Sequence, residues 1–179
     1  MINFKFLNQI SNFSNKGIKI LEIGAGSGRT SEALLTFRKD LKYVVCDIPL
    51  AIIISYKRLK KAFPKKKFSL CFDIKDKGEM MNKLLNNDIL FIFPHQIQFF
   101  EKKTFDIFMG IGCLHEMGKK TIKRYMNYVD IHSKYLYFDA WDNTKVPFSI
   151  IKNKLSAHSA SDYSINKNWK KIFIRDAIF

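Results

Sequence analysis

Three glycines stand at alternate positions between a short apolar run and a helical pattern. The run 17–23 is rich in β-branched residues and too short for a helix, so it predicts a buried strand. Gly24, Gly26 and Gly28 follow it, and residues 29–37 carry apolar side chains at helical spacing. Glycine accepts positive φ angles and lets a ligand approach the backbone closely. A strand that turns into a helix through such a segment predicts an α/β fold with a ligand at the turn.

Strand and helix patterns alternate along the rest of the chain. Further strands are expected at residues 43–46, 88–93, 105–111 and 135–138, and helices at 29–37, 49–63 and 119–130. Residues 65–87 are ambiguous, since 68–72 fits a strand and 79–85 fits a short helix. Nearly continuous apolar strands alternating with helices predict a doubly wound, Rossmann-like α/β fold with a mostly parallel sheet. We expect a single domain over residues 1–179.

An acidic residue ends the predicted second strand. Asp47 lies 19 residues after Gly28, where a carboxylate can accept hydrogen bonds from both ribose hydroxyls of an adenosyl ligand. The glycine spacing is G-x-G-x-G, whereas dinucleotide-binding turns have G-x-G-x-x-G. Two structural interpretations stay open, because the glycines also suit a plain tight turn and Asp47 also suits a helix cap before Pro49. The residues expected here to bind an adenosyl cofactor are Glu22, Gly24, Ala25, Gly26, Gly28, Asp47 and Ile48.

The chain carries a formal net charge of +15, which raises nucleic acid or an anionic membrane as a partner. Arginine occurs at only five positions, however, and base recognition favours the bidentate arginine side chain. We therefore interpret the surface as generally basic and solvated, and do not expect a nucleic-acid partner. No apolar run reaches the roughly 18 residues of a membrane span, and Cys46, Cys71 and Cys113 are typical of reduced core thiols. These features predict a cytoplasmic protein.

Several segments resemble one known family. Residues 20–35 (ILEIGAGSGRTSEALL), 43–48 (YVVCDI) and 90–96 (LFIFPHQ) are similar to sugar O-methyltransferases of bacterial surface-polysaccharide loci, which are class I S-adenosylmethionine-dependent methyltransferases. The segments 114–117 (LHEM) and 168–170 (NWK) continue the resemblance in the same order. The resemblance implies that the chain transfers a methyl group from S-adenosylmethionine to a sugar hydroxyl of capsule or lipopolysaccharide, or of a precursor. Relatives continue into a last strand beyond the end of this chain, so the expected sheet lacks that strand.

Two acid–base candidates follow the predicted strand 105–111, at the sheet edge where open α/β sheets bind ligands. A sugar hydroxyl is a poor nucleophile until it is deprotonated, and an imidazole is well suited to act as general base. We predict that His115 is this base, and that Glu116 orients the imidazole or binds a sugar hydroxyl. A structural role for His115, packing the cofactor pocket, stays open.

The predicted strand 88–93 leads to a second set of cofactor contacts. His95 and Gln96 are expected beside the adenine, as in the wider superfamily. Asp73 is the competing adenine contact if residues 68–72 form the third strand.

Acceptor contacts are expected after the strand 135–138. Asp139, Trp141 and Asp142 suit a sugar, because an aromatic face stacks on the apolar face of the ring while carboxylates accept hydrogen bonds from its hydroxyls. Turn formation explains Asp142 equally well. Asp139, Asp142 and Glu116 are also oxygen ligands of the kind that magnesium binds. Their spacing does not require a metal, so no metal site is predicted.

Two other functions remain as alternatives. An RNA methyltransferase of the same fold is favoured by the lysine excess, and opposed by the few arginines and by the lack of an Asn-Pro-Pro-Tyr-type segment. A catalytically inactive cofactor-binding domain is the other alternative.

Overall fold

One parallel sheet flanked by helices forms the part of the chain that the computed structural model describes, which is residues 17–141, 160–172 and 174. The strands are β1 (Lys19–Ile23), β2 (Lys42–Cys46), β3 (Phe68–Leu70), β4 (Ile89–Ile92), β5 (Phe105–Ile111) and β6 (Ser133–Asp139). The helices are α1 (Arg29–Phe37), α2 (Pro49–Ala62), α3 (Lys77–Asn86) and α4 (Lys119–His132). The sheet order is β3-β4-β2-β1-β5-β6, with every pair parallel. The predicted Rossmann-like α/β fold is confirmed.

Both faces of the sheet are covered, which explains why its strands are apolar almost without alternation. Helices α1 and α2 pack on one face, and α3 and α4 pack on the other. The buried apolar residues that these helices contribute are Leu34, Leu35, Ile52 and Leu59 on the first face, and Met80, Leu84, Ile122 and Val129 on the second. The three cysteines are free and buried, as predicted. No helix in the described ranges is long and apolar enough to cross a bilayer.

The strand order reverses next to β1, which lies between β2 and β5. The chain runs from β1 outward to β2, and later returns to the other side of β1 as β5. Open α/β sheets bind ligands outside the carboxyl ends of their strands at such a point. Because the strands are parallel, the segments that follow β1, β2, β4, β5 and β6 meet at this same edge.

The structure resolves the ambiguous segment 65–87. Phe68–Leu70 forms a short edge strand, β3, and it pairs with β4 rather than with β2. The helix begins at Lys77, earlier than expected, because Asp76 caps it by accepting a hydrogen bond of 2.9 Å from the backbone N–H of Glu79. Since β4 pairs with β2, the residues that follow β4 lie beside Asp47.

Candidate active site

The turn after β1 is packed tightly on two sides and open on a third. Gly24 has a φ of 62°, and a Cβ atom there would lie 2.4 Å from the Cβ of Cys113. Gly28 has a φ of 75°, and its Cβ would lie 3.0 Å from the Cβ of Ser55 in α2. A Cβ on Gly26 would meet no atom of the described residues within 4 Å. The turn therefore needs glycine for packing at its two ends, and among the described residues none fills the space beside its middle.

Cys113 lies directly behind this turn. Its thiol donates a hydrogen bond of 3.3 Å to the carbonyl of Ile23. Burial raises the pKa of the Cys113 thiol to about 12, so the group stays protonated at neutral pH. Cys113 thus supports the backbone of the turn and is not a nucleophile.

Asp47 faces the glycine turn. Its Oδ2 accepts a hydrogen bond of 2.7 Å from the backbone N–H of Gly26, and its Oδ1 accepts one of 2.7 Å from the N–H of Ile48. An ionised carboxylate has about four lone-pair sites, so these two bonds leave capacity for two ribose hydroxyls. Helix α2 has no side-chain cap, which means that Asp47 serves the turn rather than the first turn of that helix. The carboxylate and the open space at Gly26 together fit an adenosyl group.

Glu22 is not presented to a ligand. It is 1% exposed and lies beneath the turn, where it accepts hydrogen bonds from Ser31 Oγ at 2.5 Å and Tyr43 Oη at 2.9 Å. Glu22 therefore connects β1 to α1 and β2, and it affects cofactor binding only by positioning the turn. Burial raises the pKa of its carboxyl from 4.5 to about 7, against the opposing effect of hydrogen bonds from Ser31, Tyr43 and Thr30.

The buried carboxyl of Glu22 predicts a pH-dependent stability. A carboxyl whose pKa is raised by folding stabilises the protein fully below pH 4.5, and this contribution is lost as the pH rises through about 7. The loss amounts to about 3 kcal/mol between pH 4 and pH 8. In Glu22→Gln the amide does not ionise, so we expect urea denaturation across this range to show a flatter pH dependence than the native chain. The same change at the exposed Glu101 is the control, and equal slopes for all three proteins would contradict the expectation.

Gln96 has a different place from the one that the sequence suggested. It is 0% exposed, and its Oε1 accepts a hydrogen bond of 2.9 Å from the N–H of Phe93. Its Nε2 donates to the carbonyls of Cys71 at 2.5 Å, Phe72 at 3.2 Å and Ile74 at 3.1 Å. Both the oxygen and the nitrogen of the amide are thus hydrogen-bonded to backbone groups. These bonds connect the segment after β4 to the loop after β3. The expected direct contact with a cofactor gives way to a structural role.

His95 and Ile48 do present surface beside Asp47. The backbone N–H of Asp47 donates to the carbonyl of Ile92 at 3.3 Å, which joins the ends of β2 and β4. Ile48 is 61% exposed, and His95 is exposed with its ring 6.1 Å from that of Phe93. Asp73 is also exposed and follows β3. Strand β4, which precedes His95, is next to β2, whereas β3 is one strand further from β2. This arrangement favours His95 over Asp73 as an adenine neighbour.

A row of stacked aromatic rings supports His95. The rings of Phe72 and Phe93 are 4.5 Å apart at 17°, and Phe93 lies in turn at 25° to His95. Phe72 follows β3 whereas Phe93 and His95 follow β4, so no local sequence pattern predicts this stack.

On the other side of β1, the structure brings His115 and Trp141 together. His115 lies in a short 3₁₀ helix, Leu114–Glu116, directly after β5, and its ring is parallel to the indole with centroids 4.8 Å apart and planes at 4°. The backbone N–H of Trp141 donates to His115 Nδ1 at 3.4 Å, and its carbonyl accepts from Tyr163 Oη at 3.2 Å. The indole itself is 53% exposed. The sequence suggested both residues for the site, but not their contact, nor the part that Tyr163 plays.

The other predicted acceptor residues are placed less distinctively. Glu116 is exposed in the same 3₁₀ helix, and Asp139 is half-buried at the end of β6, where its carbonyl accepts a hydrogen bond of 3.0 Å from Gly112 N–H. Asp142 lies outside the described residues. In the part of the chain that is described, no three His, Cys, Asp or Glu side chains are grouped to hold a metal ion.

Comparison with known proteins supports the fold. No family model matches the chain, and no curated protein matches it. It is similar to the structure of a proposed O-methyltransferase from Nostoc punctiforme, with a TM-score of 0.52 and 11% identity over 89% of this chain and 45% of that chain. It is also similar to the plantazolicin methyltransferase BamL in complex with S-adenosylhomocysteine and a triazolic desmethylPZN analogue, with a TM-score of 0.51 and 19% identity over 77% and 44% of the two chains.

The chain spans less than half the length of either of these structures. At these identities the similarity concerns the fold alone, and the predicted membership of a sugar-specific family stays a prediction. The parallel sheet, the glycine turn after β1 and these two structures agree in one conclusion: the chain has the Rossmann-like fold of class I methyltransferases.

Proposed function

We propose that this chain transfers a methyl group from S-adenosylmethionine to a sugar hydroxyl of a bacterial surface polysaccharide, capsule or lipopolysaccharide, or of its precursor. The observation that carries the cofactor part is the bond of 2.7 Å between Asp47 Oδ2 and the backbone N–H of Gly26. It sets a carboxylate with spare lone pairs against the open side of the glycine turn, at the edge where the strand order reverses.

The chain offers a partner for each part of the cofactor. Asp47 would accept hydrogen bonds from the ribose hydroxyls, Ile48 and His95 would flank the adenine, and the open backbone at Gly26 would lie against the rest of the molecule. When bound, S-adenosylmethionine supplies an electrophilic methyl group, whose bond to sulfur breaks as the acceptor oxygen bonds to the carbon. The residues of the turn contribute by fixing the position of the donor, because in-line transfer depends mainly on alignment.

The sugar part of the proposal rests on Trp141 and on the sequence resemblance. The indole is half-exposed and is backed by the parallel imidazole of His115, so it presents a rigid flat apolar surface. The apolar face of a sugar ring stacks on such a surface. Asp139, half-buried at the end of β6, is the nearby strand-end carboxylate that can accept hydrogen bonds from sugar hydroxyls. His115 and Glu116, in the 3₁₀ helix after β5, are the polar groups proposed to contact the reacting hydroxyl.

Transfer of radiolabelled methyl groups tests this function. The full chain is incubated with methyl-labelled S-adenosylmethionine and, in separate reactions, lipopolysaccharide, capsular polysaccharide, nucleotide sugars and transfer RNA. We expect label in a carbohydrate fraction, recovered as an O-methyl sugar after acid hydrolysis. Trp141→Ala should lower this transfer by about tenfold or more at subsaturating acceptor, since it removes the stacking surface.

Two outcomes would contradict the proposal. Label in RNA alone would favour the RNA methyltransferase alternative. Binding of S-adenosylhomocysteine without transfer to any of these acceptors would favour a cofactor-binding domain.

Leu85→Ala is the control for Trp141→Ala. It removes an exposed leucine from α3, and so tests whether any loss of surface apolar area lowers the transfer.

A further inference from the structure

The imidazole of His115 is held in one orientation from two directions. Its ring lies parallel to the indole of Trp141, and its Nδ1 lies 3.4 Å from the backbone N–H of the same residue. The backbone of Trp141 is itself fixed, because its carbonyl accepts from Tyr163 Oη, and Tyr163 is buried against Phe138 with ring centroids 5.8 Å apart. The contact between Nδ1 and the N–H is therefore built into the fold at the end of β6.

This contact determines which nitrogen carries the hydrogen. A neutral imidazole has one nitrogen that donates and one that accepts. A backbone N–H can only donate, so Nδ1 must be the accepting nitrogen and the hydrogen must lie on Nε2. In this arrangement Nδ1 is occupied by Trp141, and Nε2 is the only nitrogen left for a substrate.

The Nε2 hydrogen has no partner in the described part of the chain. His115 is only 6% exposed, and Nδ1 is the one ring nitrogen for which a hydrogen bond is found among these residues. Buried donors are almost always hydrogen-bonded. A buried N–H without a partner among the described residues, at the ligand-binding edge of the sheet and next to a half-exposed indole, is therefore suited to bind an oxygen of a ligand.

We propose that His115 donates a hydrogen bond from Nε2 to an oxygen of the acceptor, and does not remove the acceptor's proton. A nitrogen that already carries a hydrogen cannot take another, so the role of general base that the sequence suggested for His115 does not fit this geometry. Trp141 is then a positioning residue, whose backbone N–H selects the tautomer. The proposal rests on the proposed function for the nature of the ligand. The proton released when the methyl group bonds to the hydroxyl oxygen passes instead to Glu116, which is exposed in the same 3₁₀ helix, or to water.

Nuclear magnetic resonance tests the tautomer without any acceptor. The full chain is labelled with ¹⁵N-histidine, saturated with S-adenosylhomocysteine, and recorded at a pH at which imidazoles are neutral. Long-range ¹H–¹⁵N correlations distinguish the two tautomers, and His115→Gln identifies the signals of this residue. We expect the pattern of a ring protonated on Nε2. A ring protonated on Nδ1 would overturn the proposal, whether or not the chain methylates sugars.

A pair of variants tests the role in catalysis. The amide of His115→Gln can still donate a hydrogen bond from near the position of Nε2, but it cannot act as a base. His115→Ala can do neither. With the carbohydrate fraction that the native chain labels, we expect the glutamine variant to retain turnover within about tenfold and the alanine variant to lose about 100-fold or more. An equal and large loss in both variants, with binding of S-adenosylhomocysteine intact, would restore His115 as the base.

Discussion

Replacing Asp47 with alanine is expected to weaken the binding of S-adenosylhomocysteine by about 100-fold or more. Hydrogen bonds to a charged acceptor contribute about 1.5 to 3 kcal/mol each, and two ribose hydroxyls would lose theirs. The variant also loses the bond between the carboxylate and Gly26 N–H, which orients the turn. Isothermal titration calorimetry measures the affinity directly, and it needs no knowledge of the acceptor.

Asp73→Ala is the matched control for this variant. Asp73 is an exposed aspartate that follows β3, one strand further from the glycine turn. Its replacement should change the affinity by no more than about twofold. Weaker binding in Asp73→Ala with normal binding in Asp47→Ala would place the adenosyl site beside β3, the edge strand, instead of at the glycine turn. Normal binding in both variants would remove the basis of the methyl-donor proposal.

Replacing Gln96 with leucine should destabilise the fold by about 4 kcal/mol. The substitution keeps the approximate volume, but it removes the partner of the Phe93 N–H and of the carbonyls of Phe72 and Ile74, which are buried or partly buried. The carbonyl of Cys71 keeps a hydrogen bond from the N–H of Ile74. Each buried backbone group left unpaired costs about 1 to 3 kcal/mol. For a chain of 179 residues the expected fall in Tm is roughly 10 °C. Thermal and urea denaturation measure the change.

The same 3₁₀ helix provides the control. Gln98 lies two residues further along Pro94–Phe99 and is exposed, so Gln98→Leu should alter the stability by less than about 0.5 kcal/mol. If the two variants prove equally stable, the hydrogen bonds of Gln96 do not hold the loops after β3 and β4 together. Its predicted contact with the cofactor would then need to be considered again.

The candidate site has a part that would contact a ligand and a part that supports it. Asp47, His95 and Ile48 present surface at the edge of the sheet, whereas Glu22 and Gln96 are buried behind that edge. Loss of the first kind of residue should reduce affinity with little change in Tm. Loss of the second kind should reduce stability first, and affinity only through displacement of the turn or of the segment that follows β4.

Local patterns in the sequence determined the class of fold and the edge at which the site lies. Apolar runs separated by helical spacing specify strands and helices, and Gly24 and Gly28 specify a turn that side chains would block. Because parallel strands end at one edge, residues that follow predicted strands, such as Asp47, His115 and Trp141, could be assigned to one region from their positions alone. Asp76 shows the limit of the helix prediction, since its cap extends α3 beyond the apolar periodicity.

The tertiary structure alone decided what each of these side chains does there. Glu22 meets Ser31 and Tyr43, Gln96 meets the carbonyl of Cys71, and His115 meets the backbone of Trp141, all across distances in sequence that no periodic pattern spans. Whether a polar residue faces a ligand or the interior depends on which donors and acceptors the packed chain brings within about 3 Å of it. Periodicity encodes which face of an element is buried. Only the packed fold supplies the hydrogen-bond partner that determines the role of a buried carboxyl, amide or imidazole.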